Sequence, residues 1–111
     1  MGFGEFIEKT INKRRGYKYH TYETTFDERL NIFRLYHHRF LILEVDLAIK
    51  RITNYNIISV SDRDAINKTL WRIGLKNWRA KLSLFFAGII RVIDEETFES
   101  VEKFQRFSQV W

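Results

Sequence analysis

Apolar residues recur at three-to-four spacing along much of the chain, and that period predicts helices. Phe3, Phe6/Ile7 and Thr10/Ile11 mark a first helix over Phe3 to Arg15. Glu5 and Glu8 lie near its start and Lys13, Arg14 and Arg15 near its end, the order that complements a helix dipole. Gly16 stops it. Tyr17 to Thr24 is aromatic and β-branched and reads as extended chain. Thr25-Phe26-Asp27-Glu28 then matches a capping box, with Thr25 accepting from the first turn and Glu28 reaching back. A helix opened there runs to about Thr53, roughly 40 Å at 1.5 Å per residue.

That long segment has two apolar faces. Phe33, Tyr36, Phe40, Leu43 and Leu47 project one way; Leu35, Ile42, Val45 and Ile49 project nearly the opposite way. Such a helix lies between neighbours on both sides. The rival is a strand, because Leu41, Leu43, Val45, Leu47 and Ile49 alternate with Ile42, Glu44, Asp46 and Ala48. A strand needs a break near His38-Arg39, where no Gly, Pro or Asn stands. Asn54-Tyr55-Asn56 marks a turn, and Ile57 to Val60 is short and β-prone. Ser61-Asp62-Arg63-Asp64 is a second capping box, opening a helix with Ile66, Leu70 and Ile73 on one stripe. Gly74 and Asn77 kink or divide it before Trp78, Leu82, Phe85/Phe86, Ile89 and Ile93 continue. Asp94-Glu95-Glu96 heads a last helix carrying Phe98, Val101, Phe104 and Phe107. The expected fold is all-α, a small bundle of about four helices. It has one long central helix and one short extended element near residues 17–24. The alternative is α+β with a strand near 40–49.

At 111 residues the chain fits a single helical domain over 1–111. Ten Phe, five Tyr and three Trp supply too much apolar area for disorder. Zero cysteines exclude a disulfide scaffold, a thiolate zinc site and a cysteine nucleophile, and fit a reducing compartment. Zero prolines leave the elements long. Met1 to Phe6 lacks a basic stretch followed by an apolar one, so an intracellular protein is expected. The most apolar run, Leu82 to Ile93, falls short of the ~20 residues a bilayer span needs, so no transmembrane segment is expected.

The net charge of +5 is unevenly placed. Residues 55–93 hold seven basic residues against Asp62 and Asp64, whereas residues 94–111 hold two against five acidic ones. On one helix, Lys68, Arg72, Lys76 and Arg79 would line a single face beside Trp71 and Trp78. Basic rows flanked by aromatics neutralise phosphates and offer stacking surfaces. Lys13, Arg14, Arg15 and Lys18, with Tyr17 and Tyr19, form a second basic patch. The bland reading of both is a solvated face and a dipole-matched helix end.

Adjacent His37 and His38 point about 100° apart on a helix and have no carboxylate or His at i±3 or i±4, so no metal site is expected. His20 has no partner identifiable from sequence. Asp46 has Lys50 at i+4, which suits an ion pair. Glu44 lacks such a partner and becomes a catalytic candidate only if buried and unpaired. Phosphate-binding glycine loops and nucleophile elbows are absent, and no cofactor is expected. The function expected is non-enzymatic: a structural or accessory subunit of a larger assembly, contacting a protein partner or a second copy through aromatics such as Trp71, Trp78 and Trp111. The alternative is a small basic nucleic-acid-binding protein using the row after Ser61.

Overall fold

Phe33 and Leu35 are buried while Arg34 and Tyr36, their sequence neighbours, are only partly so. That period of two belongs to a strand. The computed structural model describes residues 1–92 and the backbone of 98–100. In chain order it contains α1 (Phe3–Lys13), β1 (Lys18–Tyr19), β2 (Tyr22–Asp27), β3 (Ile32–His37), β4 (Phe40–Asp46), β5 (Arg51–Tyr55), α2 (Val60–Arg72), β6 (Trp78–Leu82), β7 (Ala87–Val92) and β8 (Phe98–Ser100). Strands β1 to β5 form an antiparallel meander, and β6 to β8 form a second antiparallel sheet of three strands.

The all-α bundle is therefore wrong, and the α+β alternative is closer. The long central helix over 26–53 is replaced by β2 to β5. Its supposed break at His38-Arg39 is a two-residue hairpin turn, since His37 pairs with Phe40. Both turn residues take positive φ, 50° and 71°, as a type I′ turn requires. Neither is Gly, Asn or Asp, which is why the sequence hid the turn. The capping box at Thr25 is also absent. Thr25 lies within β2, and Asp27 Oδ1 accepts instead from Leu30 N at 3.1 Å in the β2–β3 turn. Asp46 Oδ1 does the same for Ala48 N at 3.0 Å in the β4–β5 turn, and Asn31 and Lys50 end the two turns at positive φ.

The continued helix over 78–93 is the β6–β7 hairpin. In the last predicted helix, 98–100 is a strand paired to β7; its remaining residues lie outside those described. The two observed helices stand close to where the pattern puts them. The box opening α2 uses Ser59 and Asp62, two residues earlier than expected.

One face of the meander is the core face. Phe33, Leu35, Leu43 and Val45 on β3 and β4 are buried against Phe6 and Ile7 of α1 and Ala65, Ile66 and Leu70 of α2. Thr24 of β2 joins α1 to the sheet: its hydroxyl lies 2.6 Å from that of buried Thr10 and accepts from Tyr17 N at 3.0 Å. A Cβ on Gly16 would collide with the Thr24 carbonyl, so that crossing needs glycine. Lys50 Nζ donates to the Ile73 carbonyl at 2.9 Å, a cation on the negative end of α2. The second sheet is tied on through Asn67 of α2. Its amide accepts from Ala80 N at 2.7 Å and donates to Ala80 O at 3.1 Å, as a neighbouring strand would.

Candidate contact surface

The predicted basic row does not survive the end of α2. Ile73 caps the helix and Gly74 takes φ 91°, so Lys68 and Arg72 stay on α2 while Lys76 falls in the connection and Arg79 on β6. At the surface, each meets a local partner. Arg72 Nη1 lies 2.6 Å from Glu8 Oε1, and Lys76 Nζ sits 4.6 Å from the centre of the Trp71 ring. Arg79 donates to the carbonyls of Lys76 and Trp78. Lys68 lies 6.0 Å over the Phe3 ring. What remains of the row is a groove of about 450 Å³ between α1 and α2, lined by Gly4, Asn67, Lys68, Trp71 and Arg72. The Arg72 guanidinium lies so close to Gly4 that any Cβ there would strike it.

The other basic block lies toward the far end of α1. Lys13 is exposed. Arg14 reaches the β2–β3 turn, donating to Glu28 O at 3.2 Å and lying 4.9 Å over the Phe26 ring. Arg15 covers Tyr17. Lys18 lines a shallow groove of about 240 Å³ with His20, His38 and Arg39 at the end of the sheet. Ten residues of helix, roughly 15 Å, separate Gly4 from Arg14. The structure therefore joins Lys68, Arg72 and Trp71 but leaves Lys13, Arg14 and Arg15 apart from them, and Lys18 lines a different groove.

That end of the sheet carries a pairing the sequence did not reveal. His37 Nδ1 lies 2.7 Å from Asp62 Oδ1, and the two side chains are only 10% and 7% exposed. Asp62 Oδ2 accepts from Ile58 N and Ser59 N at the start of α2. The Tyr22 ring stacks on His37 at 4.2 Å, and the His38 ring lies 4.3 Å from that of His37, tilted by 31°. Burial first, then the negative charges of Asp62 and Asp64, push the Tyr22 hydroxyl above its ordinary pKa. The carboxylate fixes the imidazole through Nδ1 and caps α2 with its second oxygen, so the pair clamps helix to sheet. Only the Ser59-to-Asp62 spacing hinted at it. No group of three or more metal-ligating side chains occurs among the described residues.

Glu44 is buried but not unpaired, so the condition for a catalytic role fails. Arg34 Nε donates to its Oε2 at 2.7 Å and Thr53 Oγ1 to its Oε1 at 2.9 Å. The expected Asp46–Lys50 pair is also replaced, because Asp46 holds its own turn and Lys50 reaches Ile73.

Among the described residues, the largest departure from a satisfied surface is the tip of the β6–β7 hairpin. Leu84 and Phe85 are 95% and 96% exposed. The turn beneath them is held firmly: Ser83 N donates to Phe86 O at 2.7 Å, and Ser83 Oγ accepts from Phe85 N and Phe86 N at 3.3 and 3.1 Å. Phe86 folds back over Gly88, where its ring lies 2.9 Å from the position of a Cβ, with the Tyr55 hydroxyl beside it at 3.3 Å. Of the aromatics expected at an interface, Trp71 is 53% exposed, Trp78 packs against the core beneath Arg91, and Trp111 lies outside the described residues. No helix among the described residues is long and apolar enough to cross a membrane. No family model, curated protein or solved structure matches this chain.

Proposed function

We propose that the chain is a non-enzymatic contact protein, an accessory component of a larger intracellular assembly that it joins through the tip of the β6–β7 hairpin. The supporting observation is Leu84 and Phe85, side by side and almost wholly exposed on a turn that Ser83 locks. Large apolar side chains held out together mark a surface that is covered in use. A cysteine-free composition supports the intracellular setting. The near-buried His37–Asp62 pair has its contacts committed to holding α2, which supports a structural role for it.

A second reading, nucleic-acid binding, draws on the groove that brings Trp71 together with Lys68 and Arg72. It is the weaker one, since Glu8 holds Arg72 and Lys76 covers Trp71. One experiment addresses both: size-exclusion of the tagged chain isolated from its native source, with and without nuclease. The contact reading expects a large species that resists nuclease and that the double variant Leu84→Ser/Phe85→Ser reduces to the size of the chain alone. A large species that persists in the variant overturns it, and collapse under nuclease favours the second reading.

A further inference from the structure

Resting on that reading, we infer that the surface the hairpin tip enters is an anionic lipid bilayer. Four features of β6 and β7 converge on it. Leu84 and Phe85 project from a turn rather than from a flat sheet face, a shape that inserts between lipid headgroups more readily than it packs across a broad protein interface. Behind them, residues 76–92 contain four basic residues, Lys76, Arg79, Lys81 and Arg91, and no acidic one, while β8 sets Glu99 opposite Arg91 at the end away from the tip. The cations lie on both sides of the hairpin: Arg79 and Lys81 share the parity opposite to buried Ala80, whereas Arg91 pairs with Trp78 and lies over its ring. Lys81, exposed on β6, stands three residues before Leu84, so its charge lies beside the apolar tip as a headgroup-level cation lies beside an inserted side chain. Trp78 adds the amphipathic ring that interfaces favour.

Anionic lipid complements this arrangement, and a second copy of the chain does not. Two copies meeting tip to tip would set one basic collar against the other, which like-charge repulsion opposes. Locking by Ser83 means that little conformational freedom is lost on insertion. Phe86, folded over Gly88, keeps the base of the tip fixed to the body of the protein.

Co-sedimentation of the full chain with vesicles tests this. The two compositions are phosphatidylcholine alone, and phosphatidylcholine with about one third phosphatidylserine, both in moderate salt. Binding to the mixed vesicles should exceed binding to the neutral ones by at least about tenfold, from several cations near a negative surface. Leu84→Ser/Phe85→Ser should lower binding to mixed vesicles by at least about tenfold. Both positions are exposed, so an unchanged near-ultraviolet circular dichroism spectrum is expected to show that the fold persists. Lys81→Glu should weaken binding to mixed vesicles and leave the neutral ones unaffected. Wild type that ignores the mixed vesicles, or binds them as well after the double substitution, overturns the lipid assignment. If vesicles are ignored and the double variant still leaves its native assembly, the partner is a protein, and the contact reading stands alone. If vesicles are ignored and the variant stays in the assembly, both fall.

Discussion

The β3–β4 hairpin closes on two residues and the β6–β7 hairpin on four, and their tips expose opposite chemistry. In the first, His38 and Arg39 form the tip at positive φ, a conformation that costs L-residues of this kind about 1 kcal/mol each. The strain is held by side chains beneath it, since Phe33, Leu35, Leu43 and Val45 are all buried and β2 and β5 pair on either side. In the second, the tip residues Leu84 and Phe85 are not at positive φ, and a serine hydroxyl holds the turn. The difference teaches where structural duty ends. The first tip is polar, with His38 and Arg39 exposed, and strained because the sheet dictates its position; the second is relaxed in backbone and apolar without any demand from the fold.

The sharpest way to break that contrast is to shorten one phenyl ring on each hairpin. Phe33→Ala removes a wholly buried ring and should cost about 3–5 kcal/mol in urea unfolding. Phe85→Ala should change stability by less than about 0.5 kcal/mol, as surface substitutions usually do. Comparable losses at the two sites would show that Phe85 is structural after all.

A smaller effect tests how the hairpins are joined. Asn67→Ala leaves the buried Ala80 N–H and carbonyl without their amide partner, which should cost about 2–3 kcal/mol. Hydrogen exchange should then report the β6 and β7 amides opening well before those of β3 and β4. Uniform opening across both sheets would show that Asn67 is not the tie. Asn67→Asp keeps the acceptor for Ala80 N but cannot donate to its carbonyl, so its loss should be intermediate.

Much of this was written in the chain in a form that two structures share. Alternation from Leu41 to Ile49 was legible as a strand, but the double helical stripe competed with it. The decision turned on His38-Arg39, which carries none of the residues that take positive φ freely. Thr25-to-Glu28 read as a helix cap, whereas Asp27 within the same four residues makes a turn, because a cap and an Asx turn use the same interaction, a short side-chain oxygen accepting a nearby backbone N–H. Ser59-to-Asp62 and Ser61-to-Asp64 spell the same box, and burial of Asp62 against His37 selects the first. On the surface, the helical spacing of Lys68, Arg72 and Trp71 was enough to place them together. Gly74 ended the row before Lys76 and Arg79. The His37–Asp62 pair spans 25 residues and was beyond any local pattern. The run from Leu82 to Ile93 reads as part of a continued helix, because hydrophobicity alone does not say which of its residues occupy a turn.

The finest test addresses the strain assigned to the first tip. Replacing His38 and Arg39 together with Asn-Gly offers the β3–β4 turn the pair that type I′ geometry favours most. If positive φ at these positions is costly, as the observed angles imply, the double variant should gain about 1 kcal/mol in urea unfolding. Two contacts work against the gain. The His38 ring lies 4.3 Å from that of His37, and Arg39 borders the groove with Lys18 and His20. The His38 N–H donation to Thr21 O at 2.9 Å comes from the backbone and is retained. Arg39→Gly alone separates these effects, because it relieves the larger φ while leaving the His38–His37 contact in place. Stabilisation by the single glycine but not by the pair would assign a supporting role to the histidine ring. No gain from either would mean that the sheet already makes the turn free of strain, and the contrast with the Ser83 turn would then rest on surface chemistry alone.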